Sequence, residues 1–314
     1  MTLHTGRRAD HLLAELEPSV ARLLDRHLGA AREWMPHTYT PWSKATDYDG
    51  PLDGQPWQPE QSALPPAVRD AFIVNLLAED NLPSYHFEIA TRFGRDGAWG
   101  AWIHRWTAEE ARHAEALRSY LHASRAIDPV ELERLRMRTV QSGYAGVQPS
   151  IAHGIAYVTV QELANREAHR NTGAACGDRL GEQLTARIAA DENLHMLFYR
   201  DLLADTIELT PDTAVTALAD VICGFQMASA VIPGFQQRAQ RIAAAGIYDL
   251  GIHREQVLLP LLRTLRIMTR TDLGPTGEQA RDRIGHHLEH LATRAERFSR
   301  LYRRLQAVHA RPAP

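Results

Sequence analysis

The chain has 314 residues, of which 44% are hydrophobic and 23% are charged, a balance that indicates a globular protein and excludes a disordered or fibrous one. The formal net charge is −3 and no block of basic residues is present, so composition gives no basis for nucleic-acid binding. No uninterrupted apolar run is long enough to cross a bilayer, and we therefore expect no membrane insertion.

Two further features bear on location and redox chemistry. The N-terminal segment MTLHTGRRADHLLAELE lacks the apolar core and cleavage site of a signal peptide, which predicts a cytoplasmic protein. Cys176 and Cys223 are the only cysteines, so we expect neither a disulfide framework nor a cysteine zinc site.

Helical periodicity covers most of the chain, and Gly and Pro residues separate the periodic segments. A stretch rich in Pro, Trp and Gly over residues 36–66 predicts an ordered arm, and Pro83 should kink the helix that follows, because proline lacks an N–H donor. The C-terminal segment ARPAP is expected to fray. The predicted helices cover residues 10–34, 67–93, 98–126, 128–140, 151–170, 177–205, 211–244, 250–269 and 277–308.

The chain is predicted to form a single domain over residues 1–314, because no linker is long or polar enough to separate two independent domains. Within it we distinguish an N-terminal helix and arm (1–66), a bundle core (67–205) and a set of C-terminal helices (206–314).

Two segments carry the same Glu-x-x-His pattern. Glu110 precedes His113, and Glu192 precedes His195, by three residues, which places each pair on one face of a helix. Carboxylate oxygens and a neutral imidazole suit iron in an oxygen-activating site. With 16 His and 38 acidic residues, however, chance alone predicts about two such pairs, so their arrangement must carry the argument.

The arrangement relative to the predicted turns is specific. Glu79 and Glu110 are almost equally far in sequence from the turn at Gly94. Glu162 and Glu192 are equally far from Gly177. Residues equidistant from the turn of an antiparallel helical hairpin lie at the same height. Each hairpin therefore offers one Glu on its first helix and Glu-x-x-His on its second.

This pattern predicts an all-α fold, a ferritin-like four-helix bundle with additional helices around a carboxylate-bridged pair of iron ions. The helix over residues 128–140 would supply the crossover between the hairpins. Apolar residues precede both Glu79 and Glu162, and unpaired carboxylates are costly in such surroundings unless a metal binds them.

Each motif has a second acid beside it, Glu109 in the first and Asp191 in the second. Either could ligate a metal or be an ordinary helix acid. A third role is to orient a ligand histidine through its other ring nitrogen, in which case Asp191 could serve His113 across the bundle.

These segments resemble the soluble acyl-acyl-carrier-protein desaturases, and in particular the shorter actinobacterial members of that family. The resemblance spans roughly residues 57–205. It is carried by PWQP (56–59), AEDNLPSYH (78–86), WTAEEARHAEAL (106–117), VQELANREAHRNTG (160–173) and IAADENLH (188–195).

The resemblance implies roles for the residues that match the family's motifs. It implies Glu110 and Glu192 as the ligands that bridge the irons, and a chain from Trp57 through Asp191 to His113 for electron entry; Trp57 could equally be a packing anchor. The implied ligands are Glu79, Glu110, His113, Glu162, Glu192 and His195.

One position departs from the family pattern. Three residues after Glu162 the family usually has Thr, whose hydroxyl lies near the oxygen-binding face, whereas this chain has Asn165. An amide can still donate a hydrogen bond, but it changes the polarity and the proton supply. The substitution bears on the outcome of the reaction more than on the metal site.

The resemblance implies an oxygen-dependent desaturase that acts on a fatty acyl chain tethered to acyl carrier protein, in a homodimer. The sequence shows no flavin or nicotinamide motif, so electrons would come from a ferredoxin-type protein. The alternatives are a di-iron hydroxylase or N-oxygenase on a carrier-tethered or free substrate in secondary metabolism, and a non-enzymatic iron-binding partner protein.

Overall fold

The computed structural model describes residues 2–144, 146 and 148–309, with side chains between residues 11 and 301. The expectation for the ARPAP segment concerns residues outside this part of the chain. No β-strand forms among the described residues, where Tyr48 and Gln55 make an isolated bridge. The helices are α1 (Thr2–Ala30), α2 (Pro66–Asp80), α3 (Leu82–Phe93), α4 (Gly97–Ala123), α5 (Pro129–Ser142), α6 (Ile151–Cys176), α7 (Arg179–Leu209), α8 (Pro211–Gly224), α9 (Phe235–Ala244), α10 (Leu250–Ile252), α11 (Leu259–Thr264) and α12 (Pro275–His309).

The long helix predicted over residues 67–93 is divided into α2 and α3 at Asn81. Pro83 lies in the first turn of α3, where its missing N–H removes no helical hydrogen bond. The break lies two residues after Glu79, which is therefore in the last turn of α2.

Two glycines make the turns of the helical hairpins. Gly94 ends α3 with φ at 102°, and Gly177 ends α6 with φ at 70°, both in the range that side chains disfavour. Asp178 then caps α7 by accepting a hydrogen bond from the backbone N–H of Gly181. The two turns therefore lie where the sequence placed them.

The C-terminal region departs from the prediction. The single helix expected over residues 211–244 is two helices, since α8 ends at Gly224 and α9 begins only at Phe235. The segment between them contains a 3₁₀ turn, Ala228–Val231, and ends with Pro233, which lacks a donor, and Gly234, which has φ of 75°. The helix expected over residues 250–269 is likewise interrupted, with a π-helical segment, His253–Leu258, between α10 and α11.

Four helical segments surround the centre of the molecule. Helices α6 and α7 pack against each other along their length, α2 packs on α4 and α6, and α4 also contacts α7. Outside this bundle, α1 covers α4 and α7, while α8 and α12 pack together next to α6. The bundle agrees with the predicted all-α architecture.

The apolar core is divided into two clusters that lie on opposite sides of the bundle's centre. Trp102, Leu163 and Phe198 belong to one cluster, and Phe72, Leu117 and Ile188 belong to the other. Along α4 and α7 the acidic and histidine motifs fall between the stretches that feed the two clusters. A buried polar layer thus separates two dry regions.

Candidate metal centre

The six predicted ligand residues come together in the polar layer, and each is at most 5% exposed. They form two groups, within each of which one ligand atom per residue lies within 4.8 Å of the others. Two carboxylates belong to both groups, so the arrangement can hold two cations that share two bridging ligands. The groups are Glu79, Glu110, His113 and Glu192, and Glu110, Glu162, Glu192 and His195.

Many of the atoms that face this centre are buried without a hydrogen-bond partner in the described part of the chain. Leaving buried carboxylate oxygens unpaired is costly, and cations coordinated by oxygen and nitrogen would satisfy them. This donor set therefore fits a pair of iron ions. The atoms without a hydrogen-bond partner include Glu162 Oε2 and both carboxylate oxygens of Glu192.

The carboxylates repel one another when no metal separates them. Burial, followed by repulsion from Glu110, raises the pKa of Glu162 to about 7. The same two causes raise the pKa of Glu192 well above its ordinary value. Burial lowers the pKa of His195, but hydrogen bonds to Glu109 and Glu110 outweigh it and raise that pKa to about 10. Bound protons thus reduce the repulsion among these carboxylates when no metal is bound, and metal ions would displace those protons.

His169 is a buried residue of the centre that the sequence argument missed. Its Nε2 lies 3.0 Å from Glu79 Oε1, and its Nδ1 lies 3.4 Å from Asn75 Nδ2. Burial raises the pKa of Glu79, but hydrogen bonds with His113 and His169 lower it well below its ordinary value. The signal was available, because His169 follows Glu162 by seven residues, which is two helical turns along one face.

The acids beside the two motifs orient the histidine ligands across the bundle. Glu109 Oε2 on α4 lies 2.9 Å from Nε2 of His195 on α7. Asp191 Oδ2 on α7 lies 3.5 Å from Nε2 of His113 on α4. Each histidine therefore directs its Nδ1 toward the centre and has a carboxylate near the opposite ring nitrogen, hydrogen-bonded in His195 and at ion-pair distance in His113. This is one of the roles left open by the sequence.

We expect Glu109→Gln to weaken iron binding by roughly 10-fold, because it keeps an acceptor for His195 but removes the charge that makes the imidazole basic. Competition with a chromogenic iron chelator would measure the affinity. Glu115→Gln, on the exposed face of the same helix, is the matched control. An unchanged affinity in the Glu109 variant would show that its charge does not support the ligand.

The tryptophan that contacts Asp191 is Trp34. The expected electron path from Trp57 through Asp191 to His113 is therefore corrected in its first residue. Trp34 Nε1 donates to Asp191 Oδ2 at 2.7 Å, and its ring is stacked at 15° to the ring of His113 with 6.4 Å between centroids. Trp57 lies elsewhere, with Nε1 donating to the carbonyl oxygen of Arg125 at 2.9 Å, as a packing anchor of the arm would. Nothing in the sequence spacing distinguished the two indoles.

A cleft of about 800 Å³, counting space open to solvent, lies beside the centre between α3 and α6. Glu79, Glu110 and Glu162 line one side of it. Asn165 is on its wall, one helical turn from Glu162, and the family resemblance leads us to expect an oxygen-binding face there. Much of the remaining wall is apolar and includes Leu82, Ile89, Phe93, Trp106 and Val158. An apolar group that entered this cleft would therefore lie against the carboxylates.

The family model described as "Fatty acid desaturase" matches residues 8–311, almost the whole chain. This chain belongs to the fatty acid desaturase family. It is accordingly an oxidoreductase. None of the described helices has the length and hydrophobicity needed to cross a membrane.

Relatives of this desaturase come from bacteria and plants. It is 45% identical over 295 residues to a Mycobacterium tuberculosis protein named as the acyl-[acyl-carrier-protein] desaturase DesA1, covering 91% of this chain and 87% of that protein. It is 31% identical over 300 residues to the chloroplastic acyl-[acyl-carrier-protein] desaturase 7 of Oryza sativa, covering 87% of this chain and 72% of the rice protein.

The X-ray structure titled as the acyl-ACP desaturase DesA2 of Mycobacterium tuberculosis has a similar fold. It aligns with a TM-score of 0.72 at 28% identity and covers 86% of this chain and 99% of that one. Its fold is a ferritin-like helical bundle, which confirms the fold class predicted from the sequence.

Proposed function

We propose that this desaturase removes two hydrogens from adjacent carbons of a fatty acyl chain held on acyl carrier protein, with dioxygen as the oxidant and two iron ions at the buried centre. The observation that carries the proposal is the pair of ligand groups that share Glu110 and Glu192 and open onto an apolar cleft. The names of the mycobacterial and rice relatives support the choice of carrier-bound substrate.

The six ligand residues would hold the iron pair, which would supply the redox chemistry that activates dioxygen. The surrounding residues keep this ligand set in position. Glu109 and Asp191 fix the ring orientations of the two histidines, and Trp106 donates from Nε1 to Glu162 Oε1 at 3.1 Å. The apolar wall of the cleft would orient the methylene groups and exclude water from the reacting carbons.

Electrons for each turnover would come from a ferredoxin-type protein. The contact series from Trp34 through Asp191 to His113 gives them a path toward the centre. Arg112 stacks over Trp34, with its guanidinium carbon 5.1 Å from the ring centroid, and gives this entry point positive charge. An acidic donor would be attracted to such a position.

The carrier would dock near the open end of the cleft. Arg92 lines the cleft and is suited to meet an acidic carrier or its phosphopantetheine arm. As in the family that the sequence resembles, we propose that the enzyme works as a homodimer.

Product analysis by mass spectrometry would test the reaction directly. Incubation of the iron-loaded enzyme with acyl carriers of varied chain length, dioxygen and a ferredoxin system should give an acyl product lighter by two mass units. A gain of sixteen mass units would instead establish the hydroxylase or N-oxygenase alternative, an outcome that Asn165 leaves open. If no carrier gave a product, the desaturase proposal would fail and an iron-binding partner protein would remain.

A further inference from the structure

A row of polar side chains follows one face of α6 along the wall of the cleft. The hydroxyl of Tyr157 lies 3.3 Å from Gln161 Oε1, and Gln161 Nε2 donates to Asn165 Oδ1 at 2.7 Å. All three side chains line the cleft, and Asn165 is one helical turn beyond the metal-facing Glu162. The row therefore ends beside the proposed iron centre.

A backbone group determines which way the two amides in this row point. The backbone N–H of Ala228 donates to Gln161 at 3.4 Å. A backbone N–H can only donate, so the atom of Gln161 that faces it must be the carbonyl oxygen. Gln161 then presents its NH₂ group to Asn165, which must accept this hydrogen bond with Oδ1.

The consequence is that Asn165 keeps its donor end free. Its carbonyl oxygen is engaged by Gln161, while among the described residues its Nδ2 has no hydrogen-bond acceptor. A half-buried amide donor in a largely apolar cleft is favourable when the occupant of the cleft brings an acceptor.

We propose that Gln161 is a positioning residue that locks Asn165 as a hydrogen-bond donor toward the cleft, for a small acceptor or anion bound beside Glu162. An amide donates without releasing a proton at ordinary pH, so this wall would stabilise an acceptor without protonating it. The ligand part of the inference rests on the iron centre proposed above, whereas the orientation of the amide does not need metal.

The variant Gln161→Glu tests the orientation of the Asn165 amide while Asn165 itself stays in place. The glutamate has two acceptor oxygens, of which one would face the Ala228 N–H and the Tyr157 hydroxyl, as Oε1 of Gln161 does. The other would require a donor from Asn165, whose amide would turn over and present Oδ1 to the cleft. The exposed Gln183→Glu on α7 is the matched control for adding one carboxylate to the protein.

The orientation can be tested in the metal-free protein by NMR with selectively ¹⁵N-labelled asparagine. The side-chain signals of Asn165 are assigned by their loss in Asn165→Ala. In Gln161→Glu one Nδ2 proton should move downfield, because it now donates to a carboxylate, while Gln183→Glu should leave it in place. If the signals of Asn165 are the same in both variants, the amide does not turn and the inference fails.

The ligand arm uses azide, a small anion that ligates iron, titrated into the iron-loaded protein and followed by absorbance. Gln161→Glu should raise the azide Kd by about 10-fold when Asn165 is present, because a donor is replaced by an acceptor. In an Asn165→Ala background the same change should have little effect. Equal losses in both backgrounds would indicate simple charge repulsion and overturn the proposal, as would no loss in either.

The NMR comparison and the azide titration can fail independently of each other. A protein that binds no iron would contradict the proposed function, and the NMR comparison would still decide the orientation of Asn165. A protein that binds iron and azide with no dependence on Gln161 would contradict only the inference drawn here.

Discussion

Glu192→Gln is expected to abolish binding of both iron ions while making the metal-free protein more stable. Glu192 is fully buried, and its ligand atom belongs to both groups of the centre. Its two carboxylate oxygens have no hydrogen-bond partner in the described part of the chain. A neutral amide cannot bridge two cations as a carboxylate does, so both sites lose a ligand at once.

The stability effect has the opposite sign because the native carboxylate is unfavourable without metal. Burial and repulsion from Glu110 and Glu162 raise the pKa of Glu192, which means that its charged form is destabilised where it lies. Replacing it by a group of the same shape that cannot ionise relieves this repulsion. We expect the Tm of the metal-free protein to rise by roughly 3 °C. A gain of about 1 kcal/mol in the free energy of unfolding produces a shift of this order in proteins of about 150–250 residues.

Two measurements check this prediction. Iron per chain after reconstitution should fall from about two to nearly none, and calorimetry should show a higher Tm for the metal-free variant than for the metal-free parent. Added iron should stabilise the parent but not the variant. Glu182→Gln, exposed on the same helix, should change neither quantity. A variant that still binds two irons, or that is destabilised without metal, would indicate a structural role for Glu192.

Trp34→Phe is expected to slow electron delivery by roughly 10- to 100-fold, the range seen when a partner of a metal ligand is lost. The change removes the 2.7 Å hydrogen bond from Nε1 to Asp191 Oδ2, and with it the contact that joins Trp34 to His113 through Asp191. The phenyl ring keeps most of the packing. The centre itself should stay intact, because Asp191 retains hydrogen bonds or ion pairs with Arg112 and Arg187.

The rate of donor-supported turnover is therefore the sensitive quantity. Product formed in one turnover after chemical reduction of the iron-loaded enzyme should be unchanged, because that route bypasses the protein donor. Trp57→Phe is the matched control, since it removes an equivalent indole hydrogen bond, to the carbonyl oxygen of Arg125 and not to Asp191. If Trp57→Phe slowed turnover and Trp34→Phe did not, the path inferred from the structure would be wrong.

The bundle and the meeting of its polar residues could be inferred from the sequence for a physical reason. Helices have a constant rise per residue, so a turn located by glycine sets the height of every residue on both sides of it. That is why the sequence alone places Glu79 opposite Glu110 and Glu162 opposite Glu192. Gly94 and Gly177 adopt the positive φ that such turns require.

The residues outside the bundle could not be placed in this way. The segment between α1 and α2, residues 31–65, has no helical repeat over most of its length, so its sequence does not reveal which of its indoles approaches Asp191. Trp34 does so because it directly follows α1, which packs on α4 and α7. The separation of α8 from α9 had a visible signal in Pro233 and Gly234, which the helical periodicity on both sides obscured.

Anomalous diffraction at the iron edge, from crystals of the reconstituted protein, tests the central claim most directly. We expect two peaks per chain in the buried layer, about 3.5–4 Å apart, with Glu110 and Glu192 ligating both and with one histidine Nδ1 at each. A single peak, or peaks away from these side chains, would contradict the proposed iron centre.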